Sequence, residues 1–184
     1  MVGLEVLESL GLAIGSLVSE AELDEAALAI LALAAEEREA EKRGLSLLAR
    51  AEQSGFMLRI KLEARGFSRR AVGIAMERLG ARGLLDDRRF ALAYAASRLA
   101  HRSSKAEGPM SLVAALLGRG VDRAVAAEAV AEILGPEERA AALASAAAKE
   151  LKRSNGDRDA ARSRLRGLGY KSEEISEFFE SSLS

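Results

Sequence analysis

The chain has 184 residues with no cysteine, no tryptophan, two prolines, one histidine and few aromatics. Without cysteine there is no disulfide framework, thiolate metal site or cysteine nucleophile. That fits a reducing compartment. The one histidine, His101, leaves no histidine cluster and no triad built on histidine with cysteine. It sits in the run His101-Arg102-Ser103-Ser104-Lys105, which reads as an exposed helix end or loop, or else as a phosphate or partner contact. Gly118-Arg119-Gly120 falls at a helix end rather than between strand and helix, so it fails the structural test for a phosphate-cradling loop. The most apolar stretch, Leu28 to Leu33, is bracketed by acidic residues and is far short of a membrane span. The N-terminus is acidic and lacks the basic start of a secretory signal. The expectation is a soluble, cytoplasmic protein that needs no metal and no cofactor.

What is abundant points to helix. Ala and Leu dominate, and with Arg, Glu and Lys they are the strongest helix formers. β-Branched residues are few and scattered, which argues against a large sheet. Hydrophobic residues make up 49% of the chain, enough to bury a core. The net charge of −1 hides a split: residues 1–45 carry −7 and the remainder +6. This is either an acidic segment attached to a mildly basic body or ordinary charge scatter.

Ser19 followed by Glu22 matches a capping box. It predicts one long helix, or two joined at a bend, over residues 20–52. Gly3, Gly11 and Gly15 imply short or irregular structure over residues 1–18. Beyond them, Gly66, Gly83, Gly120, Gly135, Gly156 and Gly169 each follow an apolar periodic segment, as glycine does just past a helix C-terminus. Helix starts follow at Ser68, Asp86 or Asp87, Asp122, Pro136 and Asp157.

These glycines carry a repeat. Gly66-Phe67, Gly120-Val121 and Gly169-Tyr170 each place an apolar residue after the glycine, and Leu62, Leu116 and Leu165 each stand four residues before it. Six, nine and ten residues after each glycine come Val72, Ala75 and Met76, then Ala126, Ala129 and Val130, then Ile175, Phe178 and Phe179, one helical face each time. The glycines lie 54 and 49 residues apart. Self-similarity at this period predicts tandem helical units. The expected fold is all-α: three tandem three-helix repeats over 37–84, 85–134 and 135–184 in an elongated, curved array, behind an acidic N-terminal extension over 1–36.

Asp86-Asp87 is the one tempting carboxylate pair. It reads either as a metal or acid–base site or as a helix N-terminus, where the dipole favours acidic side chains. The basic residues form two groups. Arg59, Lys61, Arg65, Arg69 and Arg70 cluster around the first repeated glycine. Between Lys149 and Lys171 eight basic residues face three acidic ones, and Arg158, Arg162 and Arg166 share one helical face. Each group is either a phosphate-tracking surface or a solvated basic face. No aromatic stacking platform accompanies them, which leaves backbone or protein contact as the better match.

The run Leu85-Asp86-Asp87-Arg88-Arg89-Phe90-Ala91-Leu92-Ala93-Tyr94, continuing to Arg98, resembles the hallmark segment of the RecX family. Leu47-Leu48-Ala49-Arg50, Ser54, Leu58, Lys61-Leu62 and Gly66-Phe67 precede it, and Gly108-Pro109, Leu112, Leu116 and Gly120-Val121 follow it, in the family's order. The resemblance covers roughly residues 12–180. It implies a non-enzymatic, cytoplasmic, monomeric regulator of the recombinase RecA. Such proteins bind in the groove of the RecA–DNA filament and inhibit filament extension, strand exchange and ATP hydrolysis, in recombination, DNA repair and the SOS response. The implied partner is the RecA filament, with single- or double-stranded DNA a further candidate and no membrane. Met57, Ser111 and Ala115 depart from the family's charged pattern and leave the middle short helix nearly uncharged until Arg119. The other functional reading is a generic helical-repeat scaffold for protein interactions. Asp86, Asp87, Phe90, Tyr94, Gly66, Gly120 and Gly169 are assigned to capping, packing and turns.

Overall fold

A computed structural model describes residues 25–100 and 106–181. The Ser19–Glu22 capping box, the expectation for residues 1–18 and His101 lie outside them. The described residues form nine α-helices and no strand. In order they are α1 (Glu25–Leu48), α2 (Gly55–Glu63), α3 (Arg69–Ala81), α4 (Asp87–Ala100), α5 (Pro109–Leu117), α6 (Arg123–Ile133), α7 (Pro136–Arg153), α8 (Arg158–Gly167) and α9 (Ser172–Ser181). The chain divides into two compact units, one ending at Leu85 and the other beginning at Asp86. The first contains α1–α3 and the second α4–α9.

Short polar side chains start most of these helices by accepting bonds from amides that have no partner within the helix. Ser54 Oγ accepts from Met57 N at 3.2 Å, and Ser68 Oγ from Ala71 N at 3.2 Å. Asp122 Oδ1 accepts from Ala124 N at 2.7 Å, and Asp157 Oδ1 from Asp159 N at 2.9 Å. Pro109 and Pro136 each take the first helical position, where the missing N–H costs nothing.

Gly66, Gly120 and Gly169 have φ of 88°, 77° and 96°, and the chain turns left-handed at each. At Gly120 this brings Val121 N back to Leu116 O at 3.2 Å, and at Gly169 it brings Tyr170 N to Leu165 O at 3.3 Å. Both bonds close a Schellman-type end. Gly135 departs from its expected role. Its φ is −58° and ψ 171°, and it leads into α7 rather than closing α6, which ends through Leu134. Pro136 holds the residue before it in extended backbone, which excludes the left-handed turn. The first long helix also ends sooner than 52, at Leu48, and Ser54 beyond it caps α2.

The glycine-anchored leucines are core residues: Leu62, Leu116 and Leu165 are fully buried. In the first unit Leu58 and Leu62 of α2 pack with Val72, Met76 and Leu79 of α3. Ala40 of α1 and Ala71 and Ala75 of α3 form the small-residue contact beside it. In the second unit Phe90, Leu112, Leu116, Ala126 and Val130 form one cluster across α4–α6. Leu143, Ala161, Leu165, Ile175 and Phe179 form another across α7–α9.

Candidate basic interfaces

In the first unit the acidic and basic halves of the sequence meet. Glu37 and Glu41 of α1 face α3: Glu37 Oε1 lies 3.6 Å from Arg70 Nε, and its Oε2 lies 3.5 Å from Arg78 Nη2. Glu41 pairs with Arg82 at 3.0 Å. Glu36 accepts from both Ser68 N, at 2.7 Å, and Ser68 Oγ, at 2.8 Å. Those bonds hold its carboxyl below the usual carboxylate range. α1 runs unbroken through residues 36 and 37, so these acidic residues belong to the helix that packs on α3.

The five basic residues near Gly66 are not equivalent. Lys61 Nζ donates to Gln53 Oε1 at 2.5 Å, and Arg65 Nη1 donates to Lys61 O at 2.6 Å, closing the end of α2. Arg70 is engaged with Glu37. Arg59 is exposed on the outer side of α2. Arg69 is exposed in the first turn of α3, where the helix dipole disfavours a cation.

In the second unit the predicted stripe on α8 is divided. The Arg158 and Arg162 guanidinium groups lie over the Phe179 ring, 5.7 and 5.1 Å from its centroid. Arg162 Nε is buried there without a hydrogen-bond acceptor. Both cations therefore contribute to packing α8 against α9. Arg166 is exposed. Arg164, off the stripe, is drawn toward buried Glu150 at 3.4 Å.

Asp86 caps α4, its Oδ1 accepting from Arg89 N at 2.9 Å, and Asp87 is the first residue of the helix. Among the described residues no group of three or more His, Cys, Asp or Glu is placed to hold a metal. Phe90 is buried and stacks on Tyr94 with centroids 5.9 Å apart. The Arg119 guanidinium lies over the Tyr94 ring, 4.2 Å from its centroid.

Two features escaped sequence reasoning. The first is a junction in the second unit: Arg139 forms a two-pronged pair with Glu174 at 2.5 and 3.0 Å, beside Tyr170. Its hydrogen bonds lower the Glu174 carboxyl pKa and raise that of Arg139, while burial pushes Tyr170 up to about 12. Glu174 lies 35 residues from Arg139, so no local pattern signals the pair. The second is a set of large apolar side chains left exposed on short helices: Phe56 and Ile60 on α2, and Met110 on α5. Their signal was present, since each interrupts the polar face that a surface helix normally shows.

No helix among the described residues is long and apolar enough to cross a membrane. No family model matches the chain. A protein of Xanthomonas campestris pv. campestris named regulatory protein RecX is 39% identical over 94 residues, covering 51% of this chain and 56% of that protein. A regulatory protein RecX of Thermus thermophilus is 42% identical over 88 residues, covering 48% of this chain and 58% of its own length. The chain thus spans less than two thirds of the length of these curated relatives. In fold it is similar to a crystal structure of regulatory protein RecX, with a TM-score of 0.76 at 22% identity over 95% of this chain and 84% of the other. It is also similar to RecX from Lactobacillus salivarius, with a TM-score of 0.65 at 17% identity over 80% of this chain and 97% of the other. Over about half its length the chain is thus similar in sequence to curated proteins named regulatory protein RecX, and over most of its length its fold is that of solved RecX structures.

Proposed function

We propose that this chain is a cytoplasmic, monomeric negative modulator of RecA. It binds in the groove of the RecA–DNA filament and inhibits filament extension, strand exchange and the linked ATP hydrolysis, in recombination, DNA repair and the SOS response. It does so by occupying surface, with no chemistry of its own. The observation that carries this reading is the 39–42% identity to proteins named regulatory protein RecX.

The helix lengths support a body of three tandem three-helix repeats. They run 24, 9 and 13 residues, then 14, 9 and 11, then 18, 10 and 10. The left-handed glycine follows the short helix each time. Stacked repeats create extended surfaces suited to a long partner. Within this reading Arg59, Arg69 and Arg166 are the foremost contact residues, being exposed and, in the case of Arg69, set against the helix dipole. Lys61, Arg65, Arg70, Arg158 and Arg162 are contact candidates that also hold intramolecular positions.

The test is DNA-stimulated ATP hydrolysis by RecA while this protein is titrated in. Inhibition at substoichiometric to stoichiometric amounts is expected. No effect at stoichiometric amounts would sink the reading and favour a generic protein-interaction scaffold.

A further inference from the structure

We infer that the apolar groove between α5 and α6 of the second unit receives an acidic amphipathic helix of the protein partner. This deepens the regulator reading and rests on it for the partner being the filament.

The groove holds about 430 Å³. Met110, Val113 and Leu117 of α5 form one wall, and Ala127 and Ala131 of α6 form the other. Met110 is 62% exposed, the most exposed of the large apolar side chains among the described residues. Such a side chain in water gains from every methylene that a partner covers, and methionine adapts its shape to varied apolar surfaces. The two alanines lie one turn apart on the exposed side of α6, and their size lets a second backbone approach. α6 has 11 residues, a track of about 16 Å at ~1.5 Å per residue, the length of three helical turns. An apolar channel of this length matches the helix-in-groove mode of recognition.

The charge of the lining selects the partner. No carboxylate lines the groove, and its charged residues are Arg123 and Arg139. Arg139 is committed to Glu174, so exposed Arg123 is the cation that an incoming helix meets. Past Arg139 the adjoining cleft carries both signs, Lys171 beside Glu174 and Glu177, so charge of a single sign faces the partner at the Arg123 end. Nucleic acid is a poor match. The lining carries no aromatic ring on which a base could stack, and a lone available arginine neutralises few phosphates.

The experiment uses the full chain and two fluorescein-labelled synthetic helical peptides. Both carry leucines at i, i+4 and i+7. One is flanked by glutamates and the other by lysines. Anisotropy should show saturable binding of the glutamate peptide, with binding of the lysine peptide at least tenfold weaker. Ala127→Glu should weaken the glutamate peptide at least tenfold while circular dichroism and melting stay as in the parent, since the site is exposed. Absence of saturable binding, equal binding of both peptides, or full binding by Ala127→Glu would overturn the inference. So would displacement of the peptide by oligo-dT, which would make the groove a nucleic-acid site. In the ATP hydrolysis assay Ala127→Glu should inhibit RecA at least tenfold less potently than the parent, and equal potency overturns the inference. If the parent itself leaves hydrolysis unchanged, the regulator reading fails, while the peptide titration still judges the groove.

Discussion

Tyr170 donates its hydroxyl hydrogen bond to the backbone carbonyl of Glu107 at 2.9 Å, across 63 residues of sequence. Around it Met110 N donates to Leu168 O at 2.9 Å. The start of α5 is thereby fastened to the turn between α8 and α9. Burial raises the Tyr170 pKa to about 12, so the phenol remains a donor throughout the physiological range.

Removing that hydroxyl measures the fastening. Tyr170→Phe should cost about 0.5–1.5 kcal/mol, the net worth of a hydrogen bond, read from urea unfolding. Gly108→Ala should cost more, about 1–3 kcal/mol. Its Cβ would stand 2.6 Å from Leu168 O and 2.7 Å from Leu168 Cβ, so the α5 start and the α8–α9 turn would have to move apart. A Gly108→Ala protein as stable as the parent would refute this account of the junction.

Phe90 is a packing residue. It is buried within the α4–α6 cluster, and Phe90→Ala should destabilise the second unit by about 3–5 kcal/mol. Urea denaturation checks the value. A loss under 1 kcal/mol would mean that the ring does not fill the cluster.

Acidification should loosen both units. Glu36 and Glu174 have folded-state pKa values lowered by their hydrogen bonds to Ser68 and Arg139. A lowered folded pKa means that the unfolded chain binds protons more readily. Each contribution is therefore complete above the unfolded glutamate value of about 4.3 and is lost as pH falls through the lower folded value. Melting temperature should fall between pH 5 and pH 2, by less in Glu174→Gln. An identical fall in parent and Glu174→Gln would discount the Glu174 share.

The arginines should separate by role. Arg166→Ala should reduce the slope of log affinity against log salt for DNA by about 1 if Arg166 meets a phosphate, with melting unchanged. Arg162→Ala should instead lower stability by about 0.5–1 kcal/mol by uncovering the Phe179 ring. Titrations at several salt concentrations, beside thermal melts, distinguish the two.

Helix class, helix starts, turn glycines and the buried leucines before them were legible in the sequence. Each rests on interactions spanning a few residues: a cap bonds three residues ahead, and a glycine accepts positive φ by itself. The single failure among the glycines, Gly135, came from Pro136 beside it, whose restriction on backbone geometry outweighed the apolar pattern. The acidic excess of the first residues was legible as a count but not as an arrangement. Only packing set Glu37 and Glu41 opposite Arg70, Arg78 and Arg82, because the pairing depends on which faces of α1 and α3 meet. The same cause divided the arginine stripe. Helical periodicity put Arg158, Arg162 and Arg166 on one face, and the tertiary fold brought Phe179 beneath the first two and left the third in solvent. The groove of α5 and α6 is likewise a tertiary product, since no local pattern tells that Met110, Ala127 and Arg123 border one channel. Short-range hydrogen bonds and backbone sterics belong to the sequence; pairings across dozens of residues are decided by how the helices pack.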